Sequence, residues 1–248
     1  GYGNAIKEGT SVLGVDVEVT GPRPLLALIN ITDASNDTGI QARPKVNDNK
    51  SIIVNLLVNS SLGIGNVSRV TGELNGNLVE FTKAYDIDSF SGVFNGVLRI
   101  EYFNLPGNYK INLSALDKLN ESNNFLVEFQ YLSLLAVTID KNSINFGKLE
   151  PGKVSGTQNI KVLNQGNVNV DLEIYGSDLE NGANKINASN LEYGNVLWKK
   201  LDYRPRLFEF NLSSGVNSNK DLGFKLNIPV STKPNVYAGS VNIVGVQR

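Results

Sequence analysis

Apolar and polar residues alternate along most of the chain with a period of two. Residues 11–20 read SVLGVDVEVT, placing Leu13, Val15, Val17 and Val19 on one side and Val12, Gly14, Asp16, Glu18 and Thr20 on the other. Successive side chains of a strand point to opposite faces, so this pattern predicts a half-buried β-strand. Similar runs at 25–32, 51–59, 67–74, 78–85, 93–103, 108–113 and 125–134 are cut by Gly, Asn, Asp and Pro. Asn75-Gly76 lies between two of them and predicts a type I′ hairpin, whose positive φ angles match the strand twist. Leu105-Pro106-Gly107 predicts a second turn, and the polar stretch 116–124 a third.

The rhythm breaks near residue 134. Residues 130–140, QYLSLLAVTID, read as the last strand of one domain running into the first of the next. No Gly/Ser/Pro linker intervenes, so a stiff joint is expected. Further strands are predicted at 144–149, 158–163, 168–175, 196–201, 207–212, 222–228 and 237–244, with a turn at Pro151-Gly152. Residues 179–190 are the one helix candidate, weakened by their Asn and Gly content. Strands recurring about every 8–12 residues indicate a β-sandwich in each half. The expected architecture is all-β: two tandem Ig-like β-sandwich domains, 21–133 and 134–248, behind an N-terminal extension strand in residues 1–20.

Composition narrows the chemistry. The 248 residues include no Cys, no Met and no His. That excludes disulfides, thiolate nucleophiles, imidazole metal ligands and a Ser-His-Asp triad. No cofactor is expected, and no enzymatic activity. The 23 basic and 24 acidic residues give a net charge of −1, without the basic excess a nucleic-acid partner requires. Residues 1–133 carry −4 and residues 134–248 carry +3, an asymmetry that would favour head-to-tail contact or reflect scatter. The longest apolar stretches, 25–29 and 132–137, fall far short of the about 18 residues that a membrane span needs. A start at Gly1 rather than Met leads us to expect either a removed leader or a fragment.

Asn is abundant at 34 residues. Asn-x-Ser/Thr sequons begin at Asn30, Asn36, Asn49, Asn59, Asn66, Asn112, Asn120, Asn187 and Asn211. With 29 Ser and Thr in the chain, chance gives roughly four, so these nine point to covalent N-glycans on an exported protein. A secreted or cell-surface location is therefore expected.

Several motifs resemble known surface modules. Residues 144–152, INFGKLEPG, residues 162–168, VLNQGNV, and Ile228-Pro229-Val230 followed by Tyr237-Ala238-Gly239-Ser240-Val241 resemble an Ig-like module of exported archaeal and bacterial surface proteins. Residues 103–111, FNLPGNYKI, with Ala115-Leu116-Asp117, are similar to the end of Ig-like or cadherin-like surface repeats. The resemblance implies a stalk, repeat or assembly module, with an archaeon as the expected host.

Three constellations remain. Asp86, Asp88 and Asp117 offer hard oxygen atoms for Ca²⁺ but lack EF-hand spacing, and solvated loop carboxylates are the plainer reading. Trp198, Tyr203, Arg204 and Arg206 lie in the densest basic and aromatic stretch, readable as a subunit interface, a glycan-contacting surface, or a strand-turn-strand with its rings in the core. Residues 11–20, followed by Gly21-Pro22-Arg23-Pro24, form either the first strand of their own sandwich or a strand donated to a neighbour. In the second case Leu13, Val15, Val17 and Val19 carry assembly, an organisation similar to donor-strand-assembled extracellular fibre subunits. The expected function is a structural subunit of an extracellular filament or surface layer, a head-to-tail homopolymer. The alternative is a glycan-binding adhesin or accessory module of a larger cell-surface protein.

Overall fold

The computed structural model describes residues 23–32, 34–35 and 39–248. The strand expected at residues 11–20, with Leu13, Val15, Val17 and Val19, lies outside the described residues, as does Asn36. Among the described residues the chain is all-β, built from sheets packed as Ig-like β-sandwiches, as the period-two alternation predicts. Its helices there are two single 3₁₀ turns, Ile64–Asn66 and Ala188–Asn190.

Residues 25–131 supply two sheets. One orders Leu25–Thr32, Lys50–Asn59, Ser91–Ile100 and Thr82–Asp86. The other orders Ala34–Ser35, Gln41–Ala42, Ser122–Tyr131, Gly107–Asp117, Val67–Leu74 and Asn77–Glu80. Residues 137–247 form separate sheets, so no sheet is shared between the two stretches. By compactness the chain divides differently. Among the described residues, one unit takes in 23–32, 53–98 and 111–127, the other 34–35, 39–52, 99–110 and 128–248.

The Asn75-Gly76 turn forms as expected, with φ of 53° and 78° at its two central residues and Leu74 paired with Asn77. The single strand expected at 78–85 is instead two strands, and the break falls at Phe81. Asn77–Glu80 belongs to the six-stranded sheet and Thr82–Asp86 to the four-stranded one. Phe81 is buried at the crossing. A Cβ on Gly96 would lie 2.1 Å from its ring and one on Gly72 2.7 Å, so two glycines on facing sheets make room for one aromatic side chain. Alternation cannot register such a switch, because the residues on either side keep the strand period.

In the second unit, buried Ile160, Val162, Leu172, Ile174, Phe210 and Phe224 belong to a single core cluster. The sequence run 132–136 is fixed to the 164–167 turn by hydrogen bonds. Fully buried Asn167 accepts from Leu134 N–H at 2.6 Å through Oδ1 and donates to Leu132 O at 2.9 Å through Nδ2. Its backbone N–H reaches Leu134 O at 3.0 Å, and Gln165 N–H reaches Ala136 O at 2.8 Å. Gly166 admits this approach, since a Cβ there would meet Leu134 O at 2.1 Å. The NQGN run of the surface-module motif thus holds a neighbouring segment while closing its own turn.

Two further expectations change. Residues 179–190 are not helical but a hairpin of Leu179–Asn181 and Asn184–Ile186 followed by the 3₁₀ turn. The positive φ of 56° at Gly182 turns the chain where a helix would have to continue. Residues 144–149 form no strand. We predict that Asn167→Ala lowers stability by about 1–3 kcal/mol, because a buried donor and acceptor lose their partners. Urea denaturation of variant and wild type reads the difference directly.

Candidate functional site

The three-stranded sheet of the second unit orders Arg206–Leu212, Val170–Gly176 and Val241–Gln247, which leaves Val241–Gln247 at an edge. Its seven residues pair antiparallel with Val170–Gly176, from Val241↔Gly176 to Gln247↔Val170. Among the described residues no strand pairs with its other side. Val241 and Ile243 point toward the core, whereas Asn242 and Val244 are exposed.

Beside this edge a groove of about 900 Å³ opens within the second unit. Buried Ile160, Phe224 and Leu226 line it together with Val241 and Ile243 of the edge strand and Ile144 and Phe146. The course of residues 144–149 follows from local chemistry. Asn145 Oδ1 accepts the Gly147 N–H at 2.8 Å, and Gly147 has φ of 72°, so the chain turns within a run that would otherwise extend as a strand. Ile144, Phe146 and Leu149 still pack against the core while their segment stays outside the sheets. Lys141, Lys148 and Lys233 stand among the lining residues, which include no Asp or Glu.

A polar knot secures one flank. Asp178 Oδ1 accepts from Tyr203 O–H at 2.6 Å and Ala188 N–H at 2.7 Å, while Oδ2 pairs with Lys185 Nζ at 3.0 Å. These bonds tie the 179–186 hairpin and the 202–204 turn together. The Tyr203 hydroxyl first, then the Ala188 N–H and Lys185, holds the Asp178 carboxyl below its usual value, and the same contact raises Tyr203. Asn181 Nδ2 donates to Val236 O at 2.6 Å, and Tyr237 O–H to Lys233 O at 2.9 Å, so the 233–238 loop is held beside the groove. Tyr109 makes the same four-residue return to Leu105 O at 2.7 Å. Both tyrosines lie in the motifs that resemble surface modules.

The basic and aromatic stretch is engaged within its own fold. Half-buried Trp198 carries Lys225 Nζ 3.9 Å from its ring centroid. Tyr203 exposes its ring and commits its hydroxyl to Asp178. Arg206 binds Asp202 Oδ2 through Nε at 2.9 Å and Nη2 at 2.7 Å, and Arg204 is exposed. No hydrogen bond or ring contact among the described residues joins any two of Trp198, Tyr203, Arg204 and Arg206.

The acidic trio performs local work. Asp88 caps the Phe90 and Ser91 N–H groups, Asp86 pairs with Lys83, and buried Asp117 accepts from Leu119 and Glu121. Among the described residues no group of three acidic, His or Cys side chains is placed to hold a metal ion. Of the sequons, Asn30, Asn49, Asn112, Asn120, Asn187 and Asn211 are exposed, whereas Asn59 and Asn66 are half-buried. Asn59 accepts from Ser91 Oγ at 2.5 Å, and Asn66 donates to Leu62 O. No helix of the described residues is long and apolar enough to cross a membrane.

The groove escaped sequence reasoning, because residues 144–149 keep enough alternation to pass for a strand. Asn145 two residues before Gly147 was the available sign of a turn.

No protein-family profile and no curated protein matches the chain. Among solved structures, it is similar to a chain of the CsuC–CsuE chaperone–tip adhesion subunit pre-assembly complex from the archaic chaperone–usher Csu pili of Acinetobacter baumannii. That match has 8% identity and a TM-score of 0.40, covering 83% of this chain and 96% of the other. A chain of a chaperone–tip adhesin complex of CFA/I fimbriae biogenesis matches at 9% identity and a TM-score of 0.39, covering 92% and 91%. The Clostridium thermocellum CbhA fibronectin(III)-like modules match at 8% identity and a TM-score of 0.29, covering 86% and 100%. These are distant likenesses in the arrangement of strands.

A carboxyl with a lowered folded pKa stabilises above its unfolded value and loses that contribution as pH falls through the folded one. The Asp178 knot therefore holds at neutral pH and opens in acid. Tyr203→Phe is expected to raise the Asp178 titration midpoint in an NMR pH series and to expose the Ala188 amide at a higher pH than in the wild type.

Proposed function

We propose that this chain is a non-enzymatic structural subunit of an extracellular filament or surface layer, polymerising head-to-tail with copies of itself. Residues 11–20 act as the donated strand. The observation that carries this reading is the Val241–Gln247 edge beside an apolar groove. An edge strand presents a row of N–H and C=O groups, which an added strand satisfies while its alternate side chains fill pockets below. Leu13, Val15, Val17 and Val19 supply four apolar side chains on one face, each contributing roughly 1.5–3 kcal/mol on full burial. Nine sequons support an exported chain carrying N-glycans, and the motifs resembling surface modules support a secreted or cell-surface setting in an archaeal host.

The adhesin reading requires a free aromatic platform. Half-buried Trp198, with Lys225 over its ring, favours the assembly reading instead.

Negative-stain microscopy of concentrated full-length protein is expected to show filaments or lattices. A variant lacking residues 1–20, checked for β-structure by circular dichroism, is expected to stay folded and fail to assemble. Normal fibres from that truncation would sink strand donation, and full-length protein that never assembles would sink the polymer.

A further inference from the structure

Resting on the strand-donation reading, we infer that the acceptor is the Val241–Gln247 edge and its groove in a second copy of this chain, filled by residues 13–19 with their valine face inward. Three independent features fit. The first is length, since Leu13 to Val19 spans seven residues and so does the edge strand. At about 3.3 Å per residue the two run alongside each other from end to end. The second is alternation. Val241 and Ile243 face the groove while Asn242 and Val244 face out, and an incoming strand with Leu13, Val15, Val17 and Val19 inward keeps that two-sidedness.

The third is charge. The incoming strand would carry Asp16 and Glu18 on its outward face, and residues 11–20 contain no Lys or Arg. The groove lining offers Lys141, Lys148 and Lys233 and no acidic residue. Opposite charges on the strand and the groove lining steer encounter. The two other edge strands of comparable length among the described residues, Leu25–Thr32 and Arg206–Leu212, lack this combination. Most of their side chains are exposed, and no residue of either lines the groove.

The absence of Cys makes a clean test, because any introduced thiol is the sole thiol. Full-length Glu18→Cys protein is mixed under oxidation with full-length Asn242→Cys, Val244→Cys or Ala27→Cys protein. All four positions are predicted or observed to be outward-facing, and unaltered filament formation under reducing conditions verifies each variant. Glu18→Cys is expected to form disulfide-linked dimers with Asn242→Cys or Val244→Cys, and the doubly substituted chain a covalent ladder that collapses on reduction. Linkage to Ala27→Cys alone would overturn the groove as acceptor while leaving strand donation standing. A doubly substituted chain that closes on itself as a monomer would overturn the second copy as donor. Filaments with no linkage at any position would overturn this inference, while the truncation of residues 1–20 decides separately whether strand donation stands.

Discussion

Each residue of a β-strand interior carries an N–H and a C=O that need partners, and a strand has two sides on which to find them. The final strand, Val241–Gln247, satisfies one side through Val170–Gly176, and among the described residues it has no neighbour on the other. The second unit's surface is organised by that incomplete pairing. The core residues Phe224 and Ile160 line the groove beside this edge, and residues 144–149 contribute to its lining while staying outside the sheets.

The rest of the unit is correspondingly well secured. The Asp178 knot, the Tyr237 return to Lys233 and the Asn181 contact with Val236 all hold the loops around the groove through specific polar bonds. Exposed ion pairs such as Lys161–Asp221 contribute little beside them. A fixed, open groove costs less ordering when an extended segment enters than a collapsed one would, and preorganisation of this kind favours association. The lysines around it add a long-range attraction that weakens as salt is raised.

Most strands were legible because each depends on its own alternation. The Asn75-Gly76 turn and the strands at 25–32 and 67–74 fall where the sequence places them. The failures share a cause. The 78–85 run keeps its period through Phe81 while changing sheets, 144–149 keeps it while staying unpaired, and 179–190 folds back at Gly182. In each, the local pattern is compatible with more than one set of distant partners. The candidate residues show the same limit. The density of Trp198, Tyr203, Arg204 and Arg206 was plain in sequence, but the partners Lys225, Asp178 and Asp202 that occupy three of them were not.

The sequence by itself determined the all-β class, the Asn75-Gly76 turn and the excluded chemistries, since all of these rest on residue type and near-neighbour spacing. Tertiary structure alone decided which strand is left with an open side, where the groove lies and which charges surround it. Hydrogen bonding across a sheet joins residues far apart in the chain, as Val241 joins Gly176, and no periodicity encodes which pairs will meet.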